Sequence, residues 1–334
     1  MANNETKRQH YVPRTYLKHF AREQDGKYFI KALPVANFQA DKIQEISIAD
    51  VCLQRDVYTL PGETGEERML LERFYADNYE SQYDKIYQLL TDPEKKTITD
   101  EERELIISTV VTMFYRTTKR ISQHNELMNR VFEQMFYLCE QTGKDYFLFE
   151  GNKISIAGKT LEQIQKEHKD ESRPSQVITQ LQVALKLINI RSVRDGIYVS
   201  KLVDDDCEFV TSDNPVSYNQ LNCEHIAPFD PKNILTLPLD SKHKLFLMPY
   251  AEHDEKYQLA RHHVSGRMCY SEKLTSNYEQ STNAERFMLG KESALLSYLQ
   301  TKEETEKPLP EEEVAKHKQA FNEILERAKK LGLI

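Results

Sequence analysis

From Thr99 the chain writes a helix that can only be buried. Thr99-Asp100-Glu101-Glu102 is a capping box, with Thr99 as N-cap and Glu102 at the third helical position. Leu105, Ile106, Ile107, Val110, Val111, Met113 and Phe114 follow, apolar nearly all round, so no face is left for water. Such a helix needs other elements packed on every side. A chain of 334 residues can supply them, as one large domain or two ordinary ones. The pattern predicts that this helix runs on to about Glu140 and that Gly143 ends it.

The flanking segments predict its surroundings. Val12 precedes Pro13, so the lead-in through His10 and Tyr11 is extended, and Pro13 starts a short helix carrying Leu17 and Phe20. Lys27 to Leu33 alternates as a strand, and a second short strand is expected over Asp56 to Leu60. Glu66 to Leu90 reads as helix. Tyr146 to Ile156 reads as a hairpin, Leu161 to His168 as a polar helix, and Pro174 to Leu187 as a further helix. From Ile188 the character changes to strands: Gly196 to Leu202, Glu208 to Thr211, Ile234 to Leu239 and Lys244 to Pro249. Helices return at about Ser276 to Thr301.

This order predicts an α+β chain: a helix-rich N-terminal half around the central helix, then a mostly antiparallel sheet. Residues 1–302 form the domain, divisible into a helical part, 1–187, and a sheet-containing part, 188–302. Residues 303–334 form an acidic linker and an amphipathic C-terminal helix, with Val314, Phe321, Ile324, Leu325 and Leu331 on one face.

Composition narrows the function classes. A net charge of -8 argues against a surface that is wholly a nucleic-acid or membrane footprint, while leaving room for a local basic groove. The longest nearly apolar run, Leu105 to Tyr115, is far short of the roughly 20 residues of a membrane span. Residues 1–8 are polar and show no secretory signal. The five cysteines are widely spaced and odd in number, which suits free thiols in a cytoplasmic protein. Trp is absent, so the aromatic core rests on 18 Tyr and 14 Phe, and buried Tyr hydroxyls need hydrogen-bond partners.

Three polar constellations stand out. The first is His10-Tyr11-Val12-Pro13-Arg14, where a His in an extended lead-in stands near an Arg. That offers a proton-transfer group beside a fixed cation, or simply a pinned terminus. The second is Arg116, Arg120 and His124, whose spacing of four puts all three on one helix face. It is either a phosphate-binding stripe or a solvated face with ion pairs. Their spacing does not fit the Arg-x(4–6)-His pattern of a common class of helical ribonucleases. The third is Thr211-Ser212-Asp213-Asn214-Pro215, a strand running into a turn. Asp213 there is a candidate general base or a partner that orients His10, or else the side chain of an Asx-turn.

Metal-binding signals are poor. Cys223-Glu224-His225, and His262-His263 with Cys269, lack zinc-ligand spacing, and Asp204-Asp205-Asp206 reads as a solvated turn. No metal site and no cofactor are expected, with a divalent ion left open. With 10 Gly and no Gly-rich loop, close backbone cradling of a nucleotide is not expected either.

The ordered set of blocks resembles the bacterial family catalogued as domain of unknown function 4238, over about residues 9 to 295. The N-terminal H-Y-V-P-x-x-Y-L-x-x-F is His10 to Phe20. Met113-Phe114-Tyr115-Arg116-Thr117 matches its mid-chain helix, Val210 to Val216 its T-S-D-N-P block, and Leu237-Pro238-Leu239 its Pro-Leu strand. Asn277 with Ala284, Arg286 and Phe287 matches its late helix. Where many members carry Thr-Pro after the arginine, this chain has Thr117-Thr118, which should keep the helix continuous past Arg116.

The resemblance implies that these scattered polar blocks converge on one site. His10, Asp213 and Arg116 are then the catalytic candidates, and Tyr11, Arg14, Arg120, Asn214 and Asn277 the substrate-binding ones. Two arginines with His and Asp suit a hydrolase acting on a phosphate ester or phosphodiester, a nucleotide or nucleic acid, with bacterial phage defence as a setting. The alternatives are a non-catalytic sensor module for an anionic ligand, or a subunit that docks on a protein partner or a second copy through residues 310–334.

Overall fold

The chain opens with β1 (Arg8–His10) and α1 (Arg14–Leu17), then β2 (Arg22–Gln24), β3 (Lys27–Pro34), β4 (Gln44–Ser47) and β5 (Leu53–Arg55). Helices α2 (Gly65–Arg68), α3 (Leu70–Asn78), α4 (Tyr83–Thr91), α5 (Asp100–Tyr115) and α6 (Thr118–Thr142) follow. The hairpin of β6 (Tyr146–Phe149) and β7 (Asn152–Ser155) leads into α7 (Leu161–Arg194). The remainder is β8 (Gly196–Leu202), β9 (Thr211–Ser212), β10 (Ser217–Asn219), β11 (Ile234–Pro238), β12 (His243–Met248), β13 (Leu259–Val264), α8 (Gly266–Asn283), β14 (Phe287–Gly290) and α9 (Glu292–Glu306). This is a computed structural model, and it describes residues 7–219, 230–249, 251–253, 255–307 and the positions 316, 318, 319, 321–323, 327 and 329. The fold is α+β.

β1 with β5 and β6 with β7 form two-stranded pairs, and two five-stranded sheets carry most of the strands. One has the order β10-β11-β12-β8-β13 and is antiparallel except for β13, which runs parallel to β8. The other has the order β2-β3-β14-β9, with β4 also on β3. Its β3–β14 pairing joins the first tenth of the chain to its last sixth. The chain divides into two compact units, Met1–Leu295 and Leu296–Ile334. Among the described residues no helix is long and apolar enough to cross a membrane. Cys223, His225, Val314, Ile324, Leu325 and Leu331 lie outside the described residues.

α5 is buried as its pattern requires. Ile106, Ile107, Val110, Val111, Met113 and Phe114 share one core with Leu187 and Ile188 of α7, Ile197 and Val199 of β8, and Tyr11, Val12, Tyr16 and Leu17 of the opening segment. Both halves of the Thr99 capping box form: Glu102 N–H donates to Thr99 Oγ1, and Thr99 N–H to Glu102 Oε2. Of the buried tyrosines, Tyr16 donates to the Pro238 carbonyl at 2.9 Å, tying the opening helix to the end of β11.

Five local expectations are corrected. The long helix does not run through Arg116: α5 ends at Tyr115, Arg116 caps it, and Thr117 turns extended at ψ 154° before α6 begins. The Tyr58 hydroxyl donates to the Arg116 carbonyl, an acceptor the next turn would need, so a distant residue ends the helix without a proline. Conversely, α7 continues through Pro174. The carbonyl that loses its donor there is that of Asp170, which is exposed, so water can take the place of the missing N–H. The 66–90 helix is broken at Tyr79, and a 3-10 turn over Glu80–Gln82 separates α3 from α4. The late helical region is split by the strand β14, and the strand expected at 56–60 lies earlier, at β5.

Candidate functional site

The breaks in two helices and the pairing of β1 build a polar cluster. β1 pairs with β5, placing His10 opposite Leu53. Arg116, at the end of α5, is 2% exposed, and its Nη2 donates to the His10 carbonyl at 2.6 Å and to Glu80 Oε1 at 2.7 Å. The 3-10 turn after α3 delivers Glu80 to that position. The guanidinium lies over the ring of Tyr75 at 4.5 Å and that of Tyr58 at 5.5 Å. A cation is therefore held by one carboxylate, one carbonyl and two π-faces.

The titrating groups around Arg116 are displaced toward neutrality. Burial pushes the Glu72 carboxyl up to about 7; Arg116 opposes that rise and Glu80 adds to it. Burial lowers the His10 imidazole below its ordinary value, and Arg14 lowers it further; Glu80 and a hydrogen bond with the Ile48 backbone work the other way. At pH 7 the ring is mainly neutral, and its Nε2 has no partner.

Beside this cluster opens a cleft of about 380 Å³ whose lining includes Arg14, Thr15, Lys18, Lys27, Ile48 and Glu80. Lys18 pairs with Asp84. Arg14 and Lys27 are exposed, and neither makes an ion pair among the described residues. The Thr15 hydroxyl, at the same wall, also lacks a partner. The cleft thus presents unsatisfied donors and positive charge.

His10, Arg14 and Arg116 lie near one another: Arg116 bonds the His10 backbone, and Arg14 acts on the imidazole. The other candidates stand elsewhere. Asp213 makes no hydrogen bond or ion pair with His10. Its Oδ1 accepts the Glu285 N–H at 3.0 Å and its Oδ2 the Arg286 N–H at 2.8 Å, so both oxygens hold the turn that enters β14. The carboxylate faces Tyr11 and Cys52, and burial raises its pKa to about 6. Tyr11 is itself sealed in the core. Asn277 accepts the Val210 N–H at 2.9 Å and donates to the Glu208 carbonyl at 3.0 Å, which gives that edge of chain the partner a strand would supply. Asn214 donates to the Asn283 carbonyl, and Asn283 donates to the Asn214 carbonyl in return. These three polar residues bond to backbone rather than to the cleft. Arg120, beyond the helix break, lines a different cleft, and His124 is exposed.

Glu80, Glu72, Tyr58 and Lys27 belong to the cluster or the cleft and have no signal in the sequence. Each lies in a helix end, a turn or a strand start whose orientation depends on pairing with distant residues.

One set of metal-type ligands gathers among the described residues: Asp204, Cys207 and Cys269 bring ligand atoms within 4.8 Å of one another. Its chemistry suits a thiol pair better than a cation. The Lys242 ammonium donates to the carbonyls of Asp204 and Cys207, and burial pushes the Cys207 thiol up to about 11.

A family model described as "Protein of unknown function (DUF4238)" matches residues 8–325. No curated protein and no solved structure matches the chain.

Proposed function

We propose that this chain, which belongs to the DUF4238 family of proteins of unknown function, binds a small phosphate-type oxyanion in the cleft beside His10. One observation carries the reading: Arg14 stands at the cleft wall next to His10 with no ion-pair partner, while Arg116 behind it is already neutralised by Glu80. Arg14 offers a bidentate fork, Lys27 a second positive charge and the Thr15 hydroxyl a neutral donor. The test is stabilisation by sulfate or inorganic phosphate in a thermal melt. Binding to the folded state raises the midpoint with ligand concentration. The rise shrinks in Arg14→Gln if the reading holds; an equal rise in both proteins removes it.

A second reading, hydrolysis of a phosphate ester, has its own support. A neutral imidazole and a carboxyl that titrates near 7 flank Arg116, and such a pair can take and give a proton near neutral pH. In that reading His10 is the base that activates water, and Glu72 takes the place expected of Asp213. The nuclease and defence settings follow only from this second reading. Turnover of a chromogenic phosphodiester that vanishes in His10→Gln and survives in Asn277→Ala supports it; no turnover in the wild type leaves the binding module.

A further inference from the structure

Arg120 sits at a second cleft, of about 460 Å³, walled by α6, β10 and α8. It is 8% exposed. Its guanidinium carbon lies 3.9 Å from the centre of the Phe114 ring, so one face of the cation is stacked. Nη1 donates to Gln123 Oε1 at 2.7 Å. Nε and Nη2 are themselves sealed from solvent and have no hydrogen-bond partner. Those two nitrogens form the side-on edge of the guanidinium, whose parallel N–H bonds match two oxygens of a carboxylate or phosphate.

The surrounding charges do not fill that edge. Glu279, on the facing wall, is taken up by Lys244 at 2.9 Å, Asn219 at 2.8 Å and Thr236 at 3.3 Å. Glu285 acts on Arg120 at a distance, while its Oε2 accepts from Thr118. Lys119 cannot compete for a ligand easily, since its ammonium reaches the Thr282 and Asn283 carbonyls and Asn283 Oδ1. A buried cation with an empty fork is costly unless something pairs with it.

We infer that the Arg120 cleft is a separate oxyanion site, in which Arg120 turns its Nε/Nη2 edge, buried in the free protein, onto a phosphate or carboxylate group and grips it in bidentate fashion. The group belongs to a small ligand whose remaining part rests against Tyr218 and Tyr278, which also line the cleft. The site does not depend on the cleft at His10: the two are built on different elements, and Arg116 and Arg120 are parted by the break at Thr117.

The experiment is calorimetric titration of Arg14→Gln, which disables the first cleft, with inorganic phosphate and, separately, with acetate and citrate. One saturable site is expected, weakened at least tenfold in Arg14→Gln/Arg120→Gln and in Arg14→Gln/Arg120→Lys, the lysine keeping the charge and losing the fork. Preference for phosphate or for the carboxylates tells which group the cleft takes. Equal binding in the single and double variants overturns the inference, as does the absence of any binding to Arg14→Gln. Should the Arg120 variants not fold, crystals of the wild-type protein soaked in selenate decide the matter. Anomalous density within hydrogen-bond reach of Nε and Nη2 supports the site, and a clean map there at saturating selenate overturns it.

Discussion

Arg116 donates to the main-chain carbonyl of His10 at 2.6 Å, across 106 positions of sequence. The end of the buried helix thus holds the opening strand by its backbone and leaves the imidazole out of that contact. The same nitrogen holds Glu80, so one buried cation orders three segments. Truncating it leaves Glu80 partly buried and unpaired. Arg116→Met is expected to cost about 3–5 kcal/mol in denaturant unfolding, and adding Glu80→Gln is expected to recover part of that. A loss below about 1 kcal/mol would show that the pair is not what orders these segments.

Asp213 gives a pH signature. Its pKa is raised from near 3.8 to about 6, so the folded state favours the protonated form. The associated stability is fully present below pH 4 and is lost as pH rises through about 6, by about 3 kcal/mol. Asp213→Asn carries no such titration. The stability of the wild type relative to that variant is therefore expected to fall between pH 4 and pH 7 in chemical denaturation. A constant difference across the range contradicts the assignment.

Asn277 is expected to behave as a structural residue. Its amide supplies partners to the Val210 N–H and the Glu208 carbonyl. Asn277→Ala leaves both without them and should cost about 1–3 kcal/mol, while sulfate affinity at the Arg14 cleft stays as in the wild type. Loss of affinity at unchanged stability would return Asn277 to the ligand site.

His10 makes anion binding depend on pH. Its pKa in the free protein lies below the ordinary 6.5, lowered by burial and by Arg14. A bound anion favours the imidazolium, so binding takes up a proton and sulfate affinity is expected to rise as pH falls below about 6.5. Sulfate itself stays dianionic there. In His10→Gln the rise should disappear, and a profile shared by both proteins would assign it to another group.

The sequence reading succeeds where the cause is local. The Thr99–Glu102 box and the 146–155 hairpin follow from neighbours within a few residues, and both form. The nearness of His10, Arg14 and Arg116 follows from no spacing in the sequence. What could not be read depends on distant partners. The break at Thr117 needs the Tyr58 hydroxyl, 58 positions away from Arg116. The role of Asp213 needs amides 72 and 73 positions downstream, and before those are placed an acid at a strand end looks equally fit for catalysis. Glu80 enters the cluster only because α3 stops at Tyr79 and a 3-10 turn follows.

Oxyanion binding by Arg14 and its cleft is the central claim. The most direct measurement is a sulfate titration of Arg120→Gln, in which the second cleft is disabled, against Arg14→Gln/Arg120→Gln. One sulfate is expected to bind the first protein, with at least tenfold weaker binding, about 1.4 kcal/mol or more, to the second. Identical isotherms for the two proteins would contradict it.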